Sequence, residues 1–138
     1  MTRRHLAADI VAVVIGGLLG TALRYGIDVA FPVADPGFPW PTLVINVVGS
    51  FALALLTATL WLRSSTPGWV KAGVGTGLMG SFTTFSAFAV SLFSEATAGR
   101  WVTLVLYLVG SLVLGFAATV LAFRLASRRT PESEMVDQ

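Results

Sequence analysis

Hydrophobic residues along the chain gather into four long runs separated by short polar stretches. The first covers about residues 10–31. Its uncharged part, residues 10–23, is only 14 residues long, so Arg24 lies inside the span or at its edge. The second falls within the uncharged run 36–62. The third occupies residues 72–94 and the fourth residues 101–123, 23 residues each. A bilayer is crossed by about 20 helical residues. The pattern therefore predicts an all-α integral membrane fold with four transmembrane helices, at about 10–31, 40–62, 70–94 and 101–123. Residues 1–9 read as an N-terminal cytoplasmic segment and residues 124–138 as a polar, disordered tail.

The punctuation agrees with these spans. Trp40, Trp61, Trp69 and Trp101 are all the tryptophans of the chain, and each falls at the edge of an apolar run. That is the aromatic belt expected at headgroup depth. Pro32, Pro36, Gly37, Pro39 and Pro41 mark the first connection, and Ser64, Ser65, Pro67 and Gly68 the second. Residues 95–100, with Gly99, make the third. Connections this short imply antiparallel neighbours. Arg3 and Arg4 precede the first run as in a signal peptide, but no convincing small-x-small cleavage site with a polar start follows.

Composition sharpens the class. Charged residues make up 12% of the 138, about half the share of a soluble domain, and mean hydropathy is +0.81. The pI near 9.7 does not indicate nucleic-acid binding, because the Lys and Arg residues sit in loops and tails as topology signals. With four spans, the N-terminus, middle connection and C-terminus share one side. That side carries Arg3, Arg4, Arg63, Lys71, Arg124, Arg128 and Arg129, against Arg24 and Arg100 on the other. The bias predicts cytoplasmic termini. There is no cysteine and only one histidine, His5, which excludes disulfides, thiolate metal sites and a Cys nucleophile. A Ser-His-Asp set and a phosphate loop are missing from the sequence too, so an enzyme has no support.

Polar residues inside the spans carry the candidate chemistry. The first run holds Gly16, Gly17 and Gly20, a close-packing signature in lipid. Arg24 follows one turn later, either paired with Asp28 or shaping the mouth of an anion pathway. In the second run Thr42, Asn46 and Ser50 share one helix face, with Gly49 beside them. They serve either as glue between helices or as the lining of a polar path. In the third run, residues 73–88 combine a cluster of glycines with Ser81, Thr83, Thr84 and Ser86, residues that make poor helix. A break near residues 80–84 would free backbone carbonyls. Such backbone survives in a membrane only when buried in protein or lining a cavity, and freed carbonyls are natural cation ligands. The other reading is a kinked, purely structural helix. Phe85 and Phe88 follow at i, i+3, and phenyl edges carry partial positive charge that can hold a small anion. In the fourth run Thr103, Tyr107, Ser111, Gly115 and Thr119 recur every four residues, a hydroxyl stripe that could face the one on the second helix.

Together these elements resemble the Fluc/CrcB family of small fluoride channels over about residues 16–122. The resemblance rests on Gly16-Gly17-x-x-Gly20 with Arg24-Tyr25, on Thr42-Leu43-x-x-Asn46-x-x-Gly49-Ser50-Phe51, on the run from Gly80 to Phe88, and on Tyr107-x-x-x-Ser111. It implies an antiparallel, dual-topology dimer of four-helix subunits, each with a broken third helix. It further implies a structural Na+ at the dimer centre, held by the main-chain carbonyls of Gly80 and Thr83. Two fluoride pores are expected at the dimer interface, lined by Asn46, Phe85, Phe88, Tyr107, Ser111, Thr42 and Ser86. The implied activity is passive export of fluoride, with the lipid bilayer and a second subunit, identical or a paired homologue, as partners. Three positions depart from the family pattern: Ser81 replaces a glycine, Ala87 a threonine and Pro41 a glycine. Carbonyl ligation needs no side chain, and proline is well tolerated at a helix start. A small proton-coupled exporter would need a membrane-embedded carboxylate, but Asp9 and Asp28 lie near segment ends. A non-transporting membrane subunit would need no polar stripes.

Overall fold

A computed structural model describes residues 3–33, 37–61 and 65–128, with side chains from His5 onward. Among the described residues the chain is wholly helical, and four helices are long and apolar enough to cross a membrane. They are the first helix, Arg3–Ala30, then Trp40–Trp61, Gly68–Thr97 and Trp101–Ser127. The helices overrun the apolar runs at both termini, since Arg124 and its neighbours can lie at headgroup depth without ending the hydrogen-bond ladder. Residues 129–138, most of the expected polar tail, lie outside the described residues.

Large apolar side chains such as Leu18, Val102 and Phe116 are mostly exposed, while Leu43, Ile45, Phe82 and Tyr107 are buried. A water-soluble fold would invert that ratio. Here the outward faces meet hydrocarbon, and the helices need only pack closely where they touch.

The third span is the irregular one. It begins as an α-helix at Gly68–Lys71 and widens into a π-helix over Ala72–Met79. It tightens again at Gly80–Phe82, breaks at Thr83–Thr84 and resumes as Phe85–Thr97. Both residues of the break are extended, with ψ of 151° at Thr83 and 122° at Thr84. The break thus falls inside the predicted window of residues 80–84. The widened stretch lies against the first helix, glycine to glycine. A Cβ on Gly16 would meet the Gly73 carbonyl oxygen, and one on Gly77 would lie 2.6 Å from the Val13 carbonyl oxygen. Gly75 faces another way, and a side chain there would fall on the Trp61 ring. The second helix also ends in a π-turn, Thr57–Trp61, and Lys71 Nζ donates to the Trp61 carbonyl at 2.8 Å.

The second and fourth spans pack along one another. Proline at the start of the second helix fits a position whose amide needs no helical partner. The turn into the fourth helix is a Schellman cap. Gly99 adopts φ 70°, its amide donates to Ala96 O at 3.1 Å, and the Arg100 amide donates to Glu95 O at 2.9 Å. The Arg100 guanidinium then returns to the Glu95 carboxylate through two bonds of 2.8 and 2.9 Å, and Glu95 is only 3% exposed. A carboxylate this buried is tolerated because it is paired in a two-pronged geometry.

Candidate ion pathway

Asn46, one turn after Thr42 on the second helix, points its carboxamide at the break. Asn46 Nδ2 donates to the Thr84 carbonyl at 2.9 Å, and Asn46 Oδ1 accepts from the Thr84 amide at 2.8 Å. Only one orientation of the amide satisfies both bonds. The expected partner for a membrane-embedded asparagine is therefore the backbone of a residue 38 positions away. Thr84, a buried residue, caps the resumed helix. Its Oγ1 accepts from the Ala87 amide at 3.1 Å and lies 3.1 Å from Ser86 Oγ. The Thr83 hydroxyl turns back to donate to Met79 O at 2.9 Å.

These bonds decide which carbonyls are left over. In a continuous helix the Thr84 amide would bond Gly80 O and the Ala87 amide would bond Thr83 O, four residues back. Here both donors are taken, by Asn46 Oδ1 and Thr84 Oγ1. Gly80 and Thr83 are thereby left without their helical donors. Among the described residues there is no cluster of three His, Cys, Asp or Glu side chains. A cation at this place would be held by main-chain oxygen, and the two released carbonyls fit that chemistry.

Beside the break lies a groove of about 330 Å3, lined among others by Asn46, Ser50, Thr83, Thr84, Phe85 and Ser111, with Phe88 also in its wall. Phe85 is 80% exposed, and its ring lies 6.0 Å from that of Phe88. Phe88 packs at a tilt, 5.3 Å between ring centres, against Tyr107, which is fully buried and meets Phe38 edge-on at 5.6 Å. Beyond Phe38 a second hollow of about 270 Å3 is lined by Gly37, Phe38, Arg100, Thr103 and Leu106. Ser111 Oγ is buried and makes no hydrogen bond, and Tyr107 Oη is buried close to the Ser91 and Thr42 hydroxyls without a hydrogen bond of full geometry. In a membrane such atoms are costly unless something else supplies the missing bonds.

Asn46, Phe85, Phe88 and Ser111 are thus brought together on one groove, with Thr83 at its edge. Tyr107 stands behind Phe88 rather than in the groove wall. Thr42 is half-buried one turn before Asn46, and Ser86 is exposed beside Thr84. Gly80 is exposed and is not among the residues that line the groove. The Thr119 hydroxyl is satisfied locally by Gly115 O at 3.0 Å, so the fourth-helix stripe does not run its full length as free hydroxyls. Arg24 and Asp28 form no ion pair, and Asp28 is exposed. Sequence reasoning missed Thr84 as the hub of the break. A threonine directly before a resumed helix is a capping signal and marks it.

Residues 11–123 match the family model described as CrcB-like protein, Camphor Resistance (CrcB). The chain belongs to the CrcB family. Among CrcB relatives, the "Fluoride-specific ion channel FluC" of Methylobacterium sp. strain 4-46 is 37% identical over 111 residues, 80% of this chain and 90% of the relative. The protein of that name from Paracoccus denitrificans is 40% identical over 108 residues, 78% and 86% of the two chains. "Fluoride-specific ion channel FluC 2" of Geobacillus kaustophilus is 39% identical over 109 residues, 78% and 84% of the two chains. The CrcB match spans all four helices and the whole of the groove.

Proposed function

We propose that this chain is a subunit of a fluoride channel in the bacterial cell membrane, passing the ion down its electrochemical gradient without covalent chemistry. The observation that carries the reading is a groove at mid-span that combines phenyl edges, an amide and a serine hydroxyl with no free charge in its lining. Fluoride is small and strongly hydrated, so polar hydrogens must replace much of its water, as carbonyls do for a cation in a filter. Ring edges and hydroxyls supply them without a full cation that would trap the ion. Asn46, Phe85, Phe88, Ser111, Thr42, Ser86 and Tyr107 are the residues assigned to the pathway. The fluoride channel names of the relatives point the same way. A proton-coupled exporter is disfavoured because the buried carboxylate of the third span, Glu95, is engaged by Arg100. Fluoride efflux from vesicles, with chloride as control, tests the assignment.

The groove also argues for a second subunit. It lies open on the flank of a single chain, and polar backbone at membrane depth is tolerated only when protein or water covers it. An antiparallel dimer closes two such grooves and brings the Gly80 and Thr83 carbonyls of both chains together. Four oxygens then suit a structural Na+, whose charge would offset their mutual repulsion. The partner is a second copy or a paired homologue of opposite bias. Seven basic residues on one side against two on the other favour a single orientation. In intact cells, Thr97→Cys is expected to react with an impermeant thiol reagent and Ser133→Cys to stay protected. Comparable labelling of both would mean dual insertion and remove the case for a paired homologue.

A further inference from the structure

We infer that Asn46 and Thr84 act as positioning residues: together they replace helical hydrogen bonds at the break, release the Gly80 and Thr83 carbonyls and set the direction of Phe85. The inference deepens the channel reading and rests on it for its meaning, though not for its geometry. A break in a membrane helix leaves amides and carbonyls unpaired, and each unpaired group in hydrocarbon is costly. Asn46 satisfies both backbone polar atoms of Thr84 at once. One N–H of Nδ2 and one lone pair of Oδ1 are spent on Thr84, which ties the carboxamide to the break and leaves its second N–H for the groove.

Thr84 completes the device. Its hydroxyl takes the Ala87 amide, so the resumed helix starts at Phe85 and not earlier. That start fixes where the Phe85 ring leaves the backbone, 80% exposed above the groove. The two diverted donors are the ones that would otherwise occupy Gly80 O and Thr83 O. Gly49 makes room for this arrangement, because a Cβ there would collide with the Thr83 methyl group. The same two side chains therefore govern the carbonyl pair and the aromatic edge.

Amide hydrogen exchange in lipid nanodiscs reads the device without any transport. In the wild-type protein the peptide spanning Thr83 to Ala87 should exchange slowly. Asn46→Leu should speed its exchange on the order of tenfold, the scale of one or two lost hydrogen bonds. Thr84→Val should do the same, and Thr84→Ser should restore slow exchange because it keeps the capping hydroxyl. Fluoride flux should follow the same order, with Thr84→Ser recovering what Thr84→Val loses. Slow exchange at this peptide in Asn46→Leu, with flux nonetheless lost, would overturn the inference and make Asn46 a direct anion ligand. Equal behaviour of Thr84→Val and Thr84→Ser would overturn it as well. A wild-type protein that passes no fluoride would defeat the channel reading while leaving the exchange pattern as predicted.

Discussion

Gly16→Val is expected to abolish assembly of the four-helix unit. The first helix and the widened start of the third meet backbone to backbone, and a Cβ at Gly16 would occupy the space of the Gly73 carbonyl oxygen. Neither neighbour is a flexible side chain that could swing aside, so the helices must separate. Overpacking a formed interface costs about 1–3 kcal/mol and more where backbone must move. Separation would also lose the contacts that hold the π-helical stretch in place. Gly77→Val should behave alike, since its Cβ would press on Val13 and Gly17 backbone. Gly26→Ala is the control: nothing lies within 4 Å of a Cβ there, and alanine gains helix propensity. Thermal unfolding and size-exclusion profiles in mild detergent check the set. Wild-type stability in Gly16→Val would mean that the close approach of the two helices is not needed for the fold.

The second large effect concerns the groove. Phe85→Ile should lower fluoride flux on the order of tenfold or more, because it keeps apolar bulk but removes the polarised ring edge. The fold should survive, since Phe85 is 80% exposed. Asn46→Asp should lower flux further. The carboxylate cannot donate to the Thr84 carbonyl, and it faces that oxygen and any passing anion with negative charge. Flux normalised to protein that elutes as the assembled species separates these losses from misfolding. Wild-type rates in both variants would reduce the two residues to packing.

Much of this architecture is written locally in the chain. The spans follow from uninterrupted apolar runs, with tryptophan at their edges. The break follows from glycine, serine and threonine crowded into residues 80–84, and it occurs at Thr83–Thr84. Other features depend on contacts between distant segments and were not legible. The widening of Ala72–Met79 into a π-helix accompanies the close approach of the first helix, which no local propensity encodes. Asn46 is marked as a polar residue in hydrocarbon, yet its partner, the Thr84 backbone, lies 38 residues on. Glu95 reads as the polar start of a loop. Only the cap at Gly99, which turns Arg100 back, makes it the buried half of an ion pair. The Arg24–Asp28 spacing suited a helical pair, but four-residue spacing permits such a contact without requiring it.

The most direct test of the account is ion efflux from liposomes holding the purified protein, followed with fluoride-selective and chloride-selective electrodes. Fluoride is expected to leave rapidly once a potassium ionophore dissipates the membrane potential, and to stall without it. Chloride is expected to stay inside, because the proposed pathway replaces hydration water with polar hydrogens, which a larger, more diffuse anion binds less strongly. Under the proposed sodium-bridged dimer, protein purified and reconstituted without sodium is expected to lose most of this flux. Chloride efflux at a rate similar to that of fluoride, or no fluoride efflux from properly assembled protein, would contradict the account.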